Sequence, residues 1–321
     1  MRRNSRFFCW HYYCSLFHTG ELSGICGPRS AALKEGGAGE GKSAREEVRR
    51  LSARSPHPVL QPDAPKIKKG VCMMKNTNWL KEMSWTEFDE RRKNCDTVII
   101  PGGAIEVYGP HMPLGSDSIV SAAICELVAQ KVNAVIGPMI EVGESASLYQ
   151  FPGTVKIMPE TYAAITRDIM NSMIKWGFKN FMFINMHAGN VPIIGQIARE
   201  YQREYGIHCA QIDWWRFTQP NTTDICKNSG WMAHGHASEC GTSVMMYLHP
   251  EYVDTTKIEL VKAQNPKFGK FPDVVTYYEF RDNTYNGILG DATLASPEKG
   301  KAIVEKCVNR IVEFMKFEFG C

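Results

Sequence analysis

Two carboxylates and an imidazole follow directly on short apolar runs. After Thr97-Val98-Ile99-Ile100 comes a Pro- and Gly-rich loop, 101–117, that carries Glu106, Tyr108, His111 and Asp117. After Phe181-Met182-Phe183-Ile184 comes Asn185-Met186-His187-Ala188-Gly189-Asn190. A third polar cluster, His234-Gly235-His236-Ala237-Ser238-Glu239, lies further on. Carboxylates with imidazole suit zinc, manganese or iron. Three protein ligands leave coordination positions free for water and substrate, which a catalytic ion needs. Glu106, Asp117 and His187 are therefore the candidate metal ligands. Each alone has an ordinary explanation. Asp117 and Asn190 both precede expected helices and could cap them, and a lone loop His is more often structural. Convergence after two separate strands weighs against that explanation.

The elements that must position these residues alternate. Strands are expected at 97–100, 134–136, 181–184 and 209–212, as short apolar runs ended by Pro, Gly or polar residues. Helices are expected at 118–132, 160–176, 191–205, 238–248 and 297–316, the second stopped by Gly177, the third by Gly206 and the fourth by Pro250. Strands alternating with helices give an α/β fold with a mainly parallel, covered sheet, whose sites form beyond the carboxyl ends of the strands. Residues 264–292, with Pro266, Gly269, Pro272 and Gly287, read as a long irregular excursion near the site or at a subunit interface.

Charge separates the chain into two parts. The overall net charge is +3, but residues 1–72 hold 13 Lys and Arg against 6 Asp and Glu, net +7, which leaves the rest at −4. The body therefore lacks the basic stripe that nucleic-acid binding needs. No apolar run is long enough to span a membrane. The eleven cysteines form no Cys-x-x-Cys pair and sit mostly in apolar runs, so they read as buried reduced thiols, which favours the cytoplasm. Residues 1–73 read as a disordered or mistranslated leader, with translation expected to begin at Met73 or Met74. The tract 36–42 is Gly-rich, and Lys69-Gly70-Val71 can be encoded by a purine-rich string like a bacterial ribosome-binding site. A genuine basic tail is the rival. Residues 74–321 then form a single domain.

Four ordered motifs within this body resemble the creatininase (creatinine amidohydrolase) family, over about residues 78–317. Glu106-Val-Tyr108-Gly-Pro-His111-Met-Pro, with Asp117, resembles the family's Glu-Gln-His-Gly-Pro-His-Leu-Pro-x-x-x-Asp. Phe151-Pro152-Gly153-Thr154 matches its Phe-Pro-Gly-Thr loop, Asn185 to Asn190 its Asn-Gly-His-x-x-Asn, and His236 to Ser243 its His-Ala-Gly-Glu-x-Glu-Thr-Ser. The resemblance implies a three-layer α/β/α sandwich, often a homohexamer, that hydrolyses cyclic or small amides with up to two metal ions. By position Glu106, Asp117 and His187 match ligands, and His236 matches a histidine that handles substrate and protons. Trp215 and Trp231 fall where creatininase has tryptophans that close over the ring, although ordinary core packing explains them equally well. His111 and Tyr149 join them as candidate substrate-binding residues.

The departures concern the second ion. Tyr108 replaces a second-metal histidine, Gly189 aligns with a second-metal carboxylate, and Gly241 replaces the second Glu of the last motif. One tight ion (Zn, Mn or Fe) is expected, with the second uncertain, and Tyr108 joins His236 and Glu239 as a catalytic candidate. The expected chemistry is hydrolysis of a cyclic amide C–N bond. The ion lowers the pKa of water from ~15.7 toward ~7, and Glu239 or His236 moves the proton. A phenol at position 108 also suits a C–C hydrolase that opens an oxidised inositol such as 3-dehydro-scyllo-inosose. A non-catalytic metal- or sugar-binding protein is the remaining alternative.

Overall fold

The computed structural model describes residues 77–271 and 274–321, so the expected leader 1–73 lies outside the described residues. Four parallel strands form the sheet: β1 (Thr97–Gly102), β2 (Val135–Ile136), β3 (Asn180–Asn185) and β4 (His208–Asp213), in the order β2-β1-β3-β4. β1 and β3 run in register from Thr97 opposite Asn180 to Gly102 opposite Asn185. Both are buried along their whole length. Strands covered on both faces read as continuous apolar runs, which is why they were visible in the sequence.

Alternation along these strands divides the interior into two helical layers. Ile99, Met182 and Ile184 point into a core shared with α2 (Ser116–Ala129), α7 (Glu239–Leu248) and α8 (Pro297–Glu318). Val98, Ile100, Phe181 and Phe183 point to the opposite face, against α3 (Pro159–Lys175), α4 (Val191–Tyr205) and Phe88 of α1 (Trp85–Arg91). The result is the expected three-layer α/β/α arrangement. From β1 the chain crosses to β2 on one side, then returns to β3 on the other. The loops after β1 and β3 therefore part at a topological switch point, where open α/β sheets bind ligands.

Some boundaries differ from the sequence expectation. The helix expected at 118–132 opens at Ser116 and closes at Ala129. Three short helices were not anticipated: α1, α5 (Trp214–Asn221) and α6 (Trp231–His234). They span too few turns for an apolar period to emerge. α1 is set by a capping box between Ser84 and Glu87. The excursion is irregular as expected, but a two-residue antiparallel ribbon, β5 (Leu260–Val261) with β6 (Gly290–Asp291), closes its base. The seven cysteines among the described residues are unpaired and five are buried, as small apolar side chains would be. No described helix is long and apolar enough to cross a membrane.

Candidate metal centre and active-site cavity

Glu106 comes from the loop after β1, Asp117 from the first turn of α2, and His187 from the loop after β3. All three are buried, and each offers a ligand atom within 4.8 Å of the other two. His187 Nδ1 lies 3.1 Å from Glu106 Oε2 and 3.7 Å from Asp117 Oδ2. Its other nitrogen, Nε2, sits 2.7 Å from the Glu144 carbonyl oxygen, which can only accept. Nε2 therefore carries a proton, and Nδ1 is the atom presented to the carboxylates.

Asp117 does not cap its helix. It is the second helical residue, behind Gly115 at the N-cap, and its Oδ1 is buried with no hydrogen-bond partner. Asn190 does not cap α4 with its side chain either. Its amide nitrogen donates to the Gly103 carbonyl and Asn185 Oδ1, both at 3.0 Å, and its oxygen accepts from Glu144 N–H at 3.0 Å. Asn185 in turn donates to the His187 carbonyl at 2.6 Å. These amides tie the loops after β1, β2 and β3 together under the centre. Ser145 completes it, donating to Glu106 Oε2 at 2.7 Å.

The three acceptors fit a cation. Two carboxylates and an imidazole lone pair face one another away from water, and one carboxylate oxygen lacks any partner, an arrangement that costs free energy unless a proton or metal ion sits between them. Without a metal, burial pushes the Asp117 carboxyl up to about 6. Burial would raise Glu106 as well, but the imidazoles of His187 and His236 beside it together hold it well below the usual carboxylate range. Burial opposes a charged His187, yet Glu106 and Asp117 together raise it well above its ordinary value.

A cavity of about 160 Å³ opens above this floor, walled by Tyr108, Leu148, Trp215, His236 and Phe280 among others. His236 Nδ1 is 2.7 Å from the Gly287 carbonyl oxygen, so that nitrogen donates, and Nε2 is turned to Glu106 Oε1 at 3.4 Å. Phe280 packs edge-on against the His236 ring at 4.7 Å. The Tyr108 ring lies between His236 (4.6 Å) and Trp215 (6.0 Å). Burial, then the Asp117 charge, pushes that phenol well above its ordinary value, so it stays a donor. Tyr108 also accounts for a glycine, since a Cβ on Gly241 would come 2.9 Å from its hydroxyl. A Cβ on Gly189 would strike the Glu144 carbonyl oxygen at 2.1 Å.

The remaining candidates lie elsewhere. Glu239 was expected to shuttle protons, but it is fully buried behind the wall. Its Oε1 accepts from Lys299 Nζ at 2.5 Å and from Lys227 N–H at 2.8 Å, and its Oε2 from Asn228 N–H at 3.3 Å. That carboxylate is committed to joining chain segments, because the first turn of α7 directs it away from the cavity. His111 does not line the cavity. Its Nε2 contacts Thr242 Oγ1 at 2.9 Å, and burial lowers its pKa to about 4. Trp231 packs against Phe268 of the excursion, and Tyr149 is largely exposed beside Lys156, so neither reaches the cavity wall. Sequence reasoning missed Ser145, the Glu144 carbonyl and Phe280. The polar run Gly143-Glu144-Ser145 follows β2 at the same sheet edge, and that position was the available signal.

Comparison with known proteins identifies the family. The family profile described as creatininase, creatinine amidohydrolase, matches residues 81–315. Creatinine amidohydrolase of Pseudomonas putida is 27% identical over 264 residues, covering 77% of this chain and 99% of its own. The mycofactocin precursor peptide peptidase of Mycolicibacterium smegmatis is 27% identical over 229 residues (68% of this chain, 84% of its own). The 3-dehydro-scyllo-inosose hydrolase of Thermotoga maritima is 27% identical over 265 residues (74% of this chain, 82% of its own). A solved structure described as "Creatininase Mn" superposes with a TM-score of 0.66 at 26% identity, covering 76% of this chain and 99% of its own. The profile spans well over half of the chain, and the chain therefore belongs to the creatininase family of hydrolases.

Proposed function

We propose that this protein is a metal-dependent hydrolase of a small cyclic substrate, cutting a cyclic amide C–N bond with water. The observation that carries the reading is the convergence of Glu106, Asp117 and His187 on one buried point beneath a cavity sized for a small ring. These three residues would hold a divalent cation. A cation there supplies Lewis acidity toward a carbonyl oxygen and toward water. His236, held at Nδ1 by the Gly287 carbonyl, keeps the Nε2 lone pair on the cavity side. It can take a proton from water and return it to the departing nitrogen. Trp215, Leu148 and Phe280 exclude bulk water and pack against the faces of a ring.

One observation favours a second substrate class. Tyr108 lines the cavity with a phenol that stays a donor, which suits a hydroxylated ring ketone, and one relative acts on 3-dehydro-scyllo-inosose. The deciding experiment strips metal with a chelator, then assays creatinine and 3-dehydro-scyllo-inosose before and after Mn²⁺ or Zn²⁺ is returned. Turnover should vanish on chelation, return with the ion, and be lost in Glu106→Gln. Undiminished turnover by protein shown by elemental analysis to be metal-free would remove the metal-dependent reading. Tight metal binding without turnover of any ring substrate would leave the non-catalytic binding protein.

A further inference from the structure

Ala237 is the one non-glycine among the described residues with positive φ, +50°. It is fully buried and directly follows His236. An alanine in the left-handed region is strained, because its Cβ crowds the backbone, so its surroundings must hold it there. Its carbonyl oxygen accepts from the Thr242 hydroxyl at 3.2 Å. That bond uses the only proton the hydroxyl has. The 2.9 Å contact between Thr242 Oγ1 and His111 Nε2 must then run from the imidazole N–H to the oxygen. His111 Nδ1 is left as an acceptor, buried and without a partner. His111 is thus a neutral imidazole whose one N–H is directed through Thr242 at the backbone of the residue after His236.

We propose that His111 is a positioning residue: through Thr242 it holds the Ala237 carbonyl and so maintains the strained turn that aims His236 Nε2 at Glu106. The consequence for turnover rests on the reading of His236 as the proton carrier, whereas the relay itself is a matter of geometry. The turn is gripped from both sides. The His236 carbonyl accepts from Leu289 N–H at 2.8 Å, and the Ser238 hydroxyl lies 2.7 Å from the Ala233 carbonyl oxygen. The His111–Thr242 contact links the strained residue to the β1 loop that carries Glu106. The relay therefore couples the two sides of the cavity.

Thr242→Val preserves shape and removes the relay. Its crystal structure is expected to show residue 237 out of the left-handed region and His236 Nε2 displaced by roughly 1 Å from its wild-type place. With Mn²⁺ bound, kcat on creatinine or 3-dehydro-scyllo-inosose, whichever the wild type turns over, should fall about 10- to 100-fold. KM should stay within about twofold, since the loss concerns the reacting groups and not ground-state binding. Mn²⁺ affinity by calorimetry should not change, because no ligand residue is touched. Thr242→Ser keeps the hydroxyl and should restore the wild-type values. Ala237→Gly added to Thr242→Val should recover part of kcat, because glycine adopts the conformation without strain. If Thr242→Val does not fold, His111→Phe removes the donor at the other end and carries the same expectations. A variant of either kind with residue 237 still at positive φ and His236 unmoved overturns the relay, whether or not a substrate is turned over. If the wild type hydrolyses neither compound, the hydrolase reading fails separately and the crystal structure still decides the relay.

Discussion

His187 must displace a proton to bind a cation. The Glu144 carbonyl claims Nε2–H, and in the metal-free protein the two carboxylates hold a second proton on Nδ1 at neutral pH. Loading Mn²⁺ or Zn²⁺ at pH 7 should release about one proton per ion. Affinity should weaken as pH falls through about 6, where buried Asp117 also protonates. Calorimetry in two buffers of different ionisation enthalpy measures this, and heats that do not depend on the buffer would contradict it. Stability of the metal-free fold follows the same signs. Asp117 sits above its unfolded value, so its contribution is complete below 3.8 and is lost as pH rises through about 6. His187 behaves likewise, with its loss at higher pH. Glu106, held low, contributes stability above 4.5 that disappears only in strong acid. Metal-free Asp117→Asn should therefore gain stability relative to wild type as pH rises from about 4 to 7, read by denaturant titration. Tyr108→Phe isolates the phenol hydroxyl. If that hydroxyl holds a substrate oxygen in the transition state, turnover should drop about 10- to 100-fold, the value of a ~1.4–3 kcal/mol hydrogen bond. First-metal affinity should survive, and unchanged kinetics would return Tyr108 to a packing role.

Among the elements, α7 and α8 are joined by an ion pair as well as by packing and the Ser296 N–H bond to Ser243 Oγ. Lys299, in the first turn of α8, reaches Glu239 at the start of α7, and Glu239 is fully buried. Removing the lysine leaves a buried carboxylate with only backbone donors. Lys299→Met should therefore cost about 2–4 kcal/mol, near the lower end because the ammonium is partly exposed. Glu239→Gln in the same chain should recover part of it, which urea unfolding of the single and double variants would show. Metal affinity should change little, since the ligands hang from β1, α2 and β3. A large loss of metal in Lys299→Met would mean that Glu239 communicates with the centre after all.

Over the whole molecule, the family match begins at residue 81 and the sheet's first strand at Thr97. A chain beginning at Met74 should fold and bind metal as the full chain does, because the three candidate ligands and, among the described residues, both core layers lie after that point. We propose a homo-oligomer, and light scattering should give the same subunit number for both chains. A shortened chain that aggregates or loses metal would make the N-terminal segment part of the working protein.

The sequence by itself determined the alternation of elements and the parallel sheet, and it singled out Glu106, Asp117 and His187, which the structure brings together. Covered strands show as unbroken apolar runs, and polar residues crowded directly after a strand can only emerge at its carboxyl end. It could not exclude capping for Asp117 and Asn190, whose side chains face the centre and its loops instead. Nor could it show that Glu239 turns to Lys299, because the rotation of a helix about its axis is settled by packing against other elements. Ser145 and the Glu144 carbonyl were hidden for a related reason. One is a common loop residue and the other a backbone atom with no residue-type signal. Only the tertiary structure brings the loop after β2 beneath His187, where a backbone carbonyl fixes which nitrogen faces Glu106 and Asp117.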